Sequence, residues 1–191
     1  MKIRQAIEFM KKAHYGQLDK SGYEYWYHPL RVMLRLGPNA SFEERCAALL
    51  HDVLEDTPFT IQDMAEAGIP EISIFTVDRF LTRREGTTYR EYIKNIIDRG
   101  NTLARRIKIS DLADNMSPGR SAKLPEHLKG INIRHLNARK LIRNTFDTID
   151  PDLFKDIVEG DLPNEFMEPF VKDHPVLSLD AKFIKWELLY K

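Results

Sequence analysis

Two neighbouring residues, His51 and Asp52, begin a short polar run, His51-Asp52-Val53-Leu54-Glu55-Asp56, inside an otherwise apolar segment. On a helix, residues four apart share a face, so His51 would stack over Glu55 and Asp52 over Asp56. One imidazole and three carboxylates on an apolar helix cost several kcal/mol to bury unless cations or hydrogen bonds compensate. A divalent metal would compensate directly; a solvated helix end is the alternative. His28, at the start of a helix after an aromatic loop, and Asp111, in an apolar helix, could join such a group. Asp111 could instead pair with Lys108 three residues earlier.

The elements that must position these residues read as helices. Ile3, Ala6, Ile7, Met10 and Ala13 recur at the spacing of one helix face, ending near Gln17. Gly16 and the run Asp19-Lys20-Ser21-Gly22 then make a turn-rich loop, and aromatic residues Tyr23 to Tyr27 lead to His28-Pro29, where proline suits a first helical turn. A second helix continues to Gly37. Ser41 with Glu44 reads as a capping box for a third helix running from Phe42 through Asp56. Thr60 with Asp63 opens a short helix, Pro70 another ending around Leu81, and Thr88 with Glu91 caps one through Ile96 and Ile97. A further helix carries Asp111, and Pro125 and Pro151 punctuate a helical C-terminal half. After residue 150 proline interrupts the pattern, so we expect a domain over 1–150 and a helical or irregular extension over 151–191 packed on it. The fold class expected is all-α.

Composition narrows the function. The 191 residues are 42% hydrophobic, enough for one core, and 29 Lys plus Arg balance 29 Asp plus Glu. No global basic field exists to gather nucleic acid or anionic membrane, so an anionic ligand must be held locally. The single cysteine, Cys46, lies in an apolar helical run and reads as a packed thiol, which fits a reducing, cytoplasmic setting. The first segment lacks the apolar core of a signal peptide, and no stretch approaches a membrane span.

The pattern H…HD…D, with Ala13-His14-Tyr15-Gly16-Gln17, Lys20-Ser21-Gly22, Tyr27-His28-Pro29-Leu30, Leu50 to Thr57, Ile107-Lys108, and Asp111 through Asn115-Met116 in that order, resembles the HD superfamily. Within it, the sequence over residues 1 to about 145 is similar to the hydrolase domain of RelA/SpoT-type (p)ppGpp enzymes and their small stand-alone relatives. The resemblance implies a compact HD-domain helical bundle. It makes His28, His51, Asp52 and Asp111 the ligands of one divalent cation, manganese first, with iron, zinc, cobalt or magnesium as other occupants. It makes Glu55 and Asp56 the pair that orients or deprotonates the attacking water, and Lys20, Ser21 and Asn115 contacts to the nucleotide. Lys108, Arg120 and Lys123 are candidate phosphate contacts, with solvated charge as the alternative.

The activity implied is metal-dependent removal of the 3′-pyrophosphate of (p)ppGpp, with a small nucleotide as partner, no specific nucleic acid or membrane, and a homodimer left open. Asp19 departs from the pattern, standing where the family carries a basic residue beside guanine. Two further readings therefore stay open: hydrolysis of another nucleotide or phosphorylated metabolite, and an idle nucleotide-sensing or partner-binding module. His14 reads as structural, and His127, His135 and His174 as surface residues.

Overall fold

The computed structural model describes residues 2–20 and 22–162. Ser21 and residues 163–191, which include His174 and most of the expected C-terminal extension, lie outside the described residues. Those described form helices joined by short loops, with one isolated bridge between Leu18 and Glu24.

The first three helices build the primary core. Helix α1 (Ile3–Ala13) buries the five residues that its periodicity marks, Ile3, Ala6, Ile7, Met10 and Ala13. It packs on α3 (Phe42–Leu50), which also receives α2 (Tyr27–Arg35). The tight α2–α3 connection turns on Gly37, whose φ of +81° favours glycine and whose missing side chain lets the Asp156 carbonyl approach. The buried Arg45 guanidinium donates to the carbonyls of Gly37, Pro38 and Ala40, so the loop has its backbone acceptors satisfied internally.

The helix expected to run unbroken from Phe42 through Asp56 is interrupted. α3 ends at Leu50, His51 and Asp52 form a turn, and a one-turn helix α4 (Val53–Asp56) follows. His51 Nδ1 lies 2.8 Å from the Ala48 carbonyl, the group that the Asp52 N–H would use in a continuous helix. The side chain thus displaces the backbone ladder at the residues that matter for chemistry. The Ser41 hydroxyl caps α3 by accepting from Glu44 N, but the Glu44 carboxylate turns to Arg106 Nε at 2.7 Å instead of closing the expected capping box.

α5 (Ile61–Glu66) and α7 (Tyr89–Arg99) start with the capping boxes expected at Thr60 and Thr88, and α6 (Glu71–Thr76) starts after Pro70. Between α6 and α7 the chain widens into a π-helical turn, Val77–Leu81, a geometry that recurs at functional sites. α8 (Thr102–Asn115), capped by Asn101, crosses both α2 and α10 (Ile131–Phe146), with the single turn α9 (Pro118–Ser121) after it.

A second core gathers Ile93 and Ile96 of α7, Ile109 and Leu112 of α8, Ile142 and Phe146 of α10, and Leu153, Phe154 and Ile157 beyond α10. Residues past 150 therefore belong to the packed body as far as Leu162, and Val158 N–H donates to the Arg35 carbonyl at 2.8 Å. Cys46 is fully buried, and burial pushes its thiol up to about 12, as expected of a packed residue.

Candidate active site

Two helix ends and one helix middle meet at the site. His28 comes from the first turn of α2, His51 and Asp52 from the turn between α3 and α4, and Asp111 from α8. The four side chains converge as the sequence pattern implied. Asp52 Oδ2 lies 3.0 Å from His51 Nε2 and 3.6 Å from His28 Nε2; Asp111 Oδ1 lies 3.3 Å from His28 Nε2 and 3.8 Å from His51 Nε2. His28, His51 and Asp111 are buried and present ligand atoms all within 4.8 Å of one another.

The tautomers follow from the partners of the other ring nitrogens. His51 Nδ1 donates to the Ala48 carbonyl, which leaves Nε2 facing two carboxylates, protonated in the metal-free site and a lone pair only once a cation replaces that proton. Burial alone would lower the His51 pKa, but Asp52 and Asp111 override it and hold the ring up at about 10. The pocket is thus built to have a positive charge at its centre. Two imidazole nitrogens and two carboxylate oxygens pointing inward make a donor set that suits a divalent transition metal.

Asp114, one helical turn along α8 from Asp111, was missed by sequence reading and organises the layer behind the ligands. Its carboxylate, fully buried, lies 2.8 Å from His28 Nδ1, 2.8 Å from Arg31 Nε, 3.1 Å from Arg35 Nε and 2.8 Å from Arg120 Nη1. Against the burial that would raise it, His28 and the arginines hold the carboxyl well below the usual carboxylate range. Arg120 Nη1 also lies 2.7 Å from His28 Nδ1, but an ionised carboxylate is the stronger acceptor, so Nδ1 donates to Asp114 and Nε2 faces the centre. An aspartate next to Asn115 and two arginines one turn apart on α2 were the available signals.

Tyr25 joins the group from the aromatic run, donating to Asp52 Oδ2 at 2.6 Å and Asp56 Oδ2 at 3.2 Å. Asp52 and Asp56 are therefore neighbours despite the broken helix. Burial, reinforced by Asp52, raises the Asp56 carboxyl above its ordinary value. Glu55 turns to the other wall, accepting from Arg83 N–H at 2.9 Å. His14, expected to be structural, is fully buried: its Nδ1 meets Gln17 Oε1, and Gln17 Nε2 donates to the Asp56 carbonyl.

Next to this group opens a cavity of about 370 Å³, large enough for a nucleotide. Lys20, Glu55, Asp56, Lys108, Asn115 and Arg120 are among its lining residues. Lys108 and Asn115 also hold Asp111, through contacts of 2.7 Å to Oδ2 and 2.5 Å to Oδ1, so both readings of the Lys108–Asp111 spacing apply at once. Asp19 also lines the cavity, its carboxylate accepting from Tyr23 N–H at 3.1 Å and pairing with Arg120 Nε at 3.7 Å. Lys123 lies against Tyr23 at the edge of the site. His135, expected at the surface, is instead buried in the cavity wall, and burial lowers its pKa to about 4. Of the basic surroundings that suggested a surface position, Arg134 shares the cavity wall, whereas Arg139 and Arg143 turn to Glu159.

No family model matches the chain. Over 66 residues, 34% of this chain, it is 46% identical to the bifunctional (p)ppGpp synthase/hydrolase SpoT of Escherichia coli K12, covering 9% of that protein. Over 129 residues, 60% of this chain, it is 32% identical to a probable guanosine-3′,5′-bis(diphosphate) 3′-pyrophosphohydrolase of Mycoplasma pneumoniae, covering 18% of that protein. The chain thus spans less than a fifth of the length of these relatives. Among solved structures, it is similar to a metazoan ortholog of SpoT that hydrolyses ppGpp, with a TM-score of 0.53 and 20% identity, over 74% of this chain and 93% of that one. The fold is shared with a ppGpp hydrolase. The all-α expectation and the resemblance to the RelA/SpoT-type hydrolase domain are both borne out. No helix among the described residues is long and apolar enough to cross a membrane.

Proposed function

We propose that this protein is a metal-dependent phosphohydrolase that removes the 3′-pyrophosphate of (p)ppGpp. One observation carries the reading: the inward-facing Nε2 atoms of His28 and His51 meet the carboxylates of Asp52 and Asp111 beside a nucleotide-sized cavity. These four residues would hold the cation, with manganese as the first choice. When bound, a divalent cation acidifies water and polarises a phosphoryl oxygen.

The chain's own groups then have separable tasks. Asp56, held by Tyr25 beside Asp52, and Glu55, held by the Arg83 N–H, are the pair that orients the attacking water or takes its proton. Water adds at the phosphorus next to the ribose 3′ oxygen, that P–O bond breaks, the 3′ oxygen gains a proton, and pyrophosphate leaves. Lys20 and Asn115, both in the cavity wall, contact the nucleotide, and Lys108 steadies Asp111. The hydrolase names of the sequence relatives and the activity named for the structural neighbour support the substrate.

A second reading keeps this machinery and changes the base. It rests on Asp19, which puts a carboxylate, engaged with Arg120 and Tyr23, at the edge of the cavity. Purified, manganese-loaded protein screened against ppGpp, GTP, dNTPs, NADPH and cyclic dinucleotides separates the two, with pyrophosphate and phosphate read individually. Pyrophosphate from ppGpp alone is expected; release from another nucleotide alone selects the second reading. Asp52→Asn should abolish turnover, and unchanged turnover in that variant would sink the hydrolase mechanism.

A further inference from the structure

The packing of α10 on α7 leaves a second concavity, an apolar groove of about 580 Å³ between the two helices. Ile93 and Ala138 lie buried in it, while Ile133 and Leu141 stand beside them 66% and 47% exposed. Arg90 and Arg134, both exposed, also line it. Single exposed apolar side chains are ordinary on a protein surface, but a group of them over an apolar hollow with a polar rim marks an interaction site. Tyr89 and Arg134 line the active-site cavity as well, so the groove and that cavity share a wall.

The chain beyond Leu162 starts close to this groove. Asp161 accepts from the Gly119 N–H at 2.8 Å, which holds that point of the chain against α9. α9 in turn is tied to the start of α10, where Asn132 Nδ2, next to the groove residue Ile133, donates to Ser121 Oγ at 3.0 Å. The residues that follow include Glu165-Phe166-Met167-Glu168-Pro169-Phe170, apolar side chains interleaved with two carboxylates. At about 3.3 Å per extended residue, the path from Asp161 to Phe166 and Phe170 spans roughly 16–30 Å, enough to pass from α9 onto the first turns of α10. The apolar side chains suit Ile133 and Leu141, and the carboxylates suit the two arginines. A second copy of the chain suits the groove less well, because nine residues line it, against the roughly 20–30 that each partner gives to a stable interface.

We propose that residues 165–170 dock in the α7–α10 groove of their own chain, with Phe166 and Phe170 against Ile133 and Leu141 and the two glutamates toward Arg90 and Arg134. The docked segment backs Tyr89 and Arg134, the wall that the groove shares with the active-site cavity. The contact is independent of the hydrolase reading, and its readouts need no turnover.

The test uses the full chain with a photoreactive benzophenone amino acid in place of Leu141, irradiated, digested and mapped by mass spectrometry. A crosslink within the chain from position 141 to the peptide that contains residues 165–170 is expected, with a yield independent of protein concentration, as for any contact inside one molecule. Crosslinks between two copies, or crosslinks that reach α7 but not that peptide, overturn the docking. Amide hydrogen exchange supplies a reciprocal readout. Leu141→Asp, at a half-exposed position, should speed exchange in residues 165–170 at least about threefold, and Phe166→Ala/Phe170→Ala should do the same for the amides at the start of α7 and α10. Parental exchange in residues 165–170 of a Leu141→Asp variant whose urea midpoint is unchanged also overturns it. Should Leu141→Asp fail to fold, Phe166→Ala/Phe170→Ala decides, since it alters no residue of either core, and unchanged exchange along α7 and α10 in that variant counts against the docking.

Discussion

Replacing Asp114 by Asn tests whether a residue that touches neither water nor substrate governs both the metal site and the fold. The Asp114 carboxylate is the shared acceptor for His28 Nδ1, Arg31, Arg35 and Arg120, and the Arg35 side chain is itself fully buried. Asparagine preserves the volume but removes the charge and turns one amide N–H₂ toward a guanidinium. Breaking a buried ion pair in this way costs roughly 3–5 kcal/mol. For a body of this size, even about 3 kcal/mol lowers Tm by roughly 6–12 °C. The metal site should respond independently, because losing the group that orients a ligating histidine weakens metal affinity by about 10–100-fold. Thermal unfolding of metal-free protein measures the first effect, and manganese titration against a competing chromogenic chelator measures the second. If Asp114→Asn melts within about 2 °C of the parent and binds manganese within about threefold, the assignment of Asp114 as the organising acceptor is refuted.

Other substitutions probe different parts of the molecule. Tyr25→Phe removes the hydroxyl shared by Asp52 and Asp56. Hydrogen bonds to charged groups are worth about 1.5–3 kcal/mol, so kcat should fall roughly 10- to 100-fold with KM little changed, and a change confined to KM would contradict this role. Gly37→Ala meets both a positive φ and the Asp156 carbonyl 2.5 Å from the new carbon, so its unfolding free energy from urea titration should drop by more than the roughly 1 kcal/mol typical of a strained glycine site. Thr88→Ala removes the acceptor for Glu91 N–H at the start of α7 and should cost about 1 kcal/mol in denaturant titration, displacing Tyr89 in the process. Cys46, buried with its thiol pushed up to about 12, should resist a disulfide-exchange reagent in the native state and react fully in denaturant; rapid native reaction would show that this core opens readily.

Much of the fold was legible because it is local. The five apolar positions of α1 and the capping boxes at Thr60 and Thr88 depend on residues within a few positions of one another. The unbroken helix expected through His51 was not observed, because the His51 ring competes for the Ala48 carbonyl and nothing in the helical period of the segment announces that competition. His135 was read as a surface residue from its basic neighbours; only the packing of α10 against α7 and α8 places it in a cavity wall.

The metal group divides in the same way. The residue types at 28, 51, 52 and 111 are written in the sequence, and their order carries the resemblance that implies a shared cation. What the sequence cannot state is which nitrogen of each histidine faces that cation. That depends on a carbonyl three residues back for His51, and on a carboxylate 86 positions away, Asp114, for His28. Likewise, the arginines that balance Asp114 and the cations around Tyr89 are drawn from separate segments, joined only when α2, α7, α8, α9 and α10 pack. Ligand identity is a property of residues, whereas lone-pair direction and local charge balance are properties of three-dimensional neighbours, and these only the tertiary structure decided.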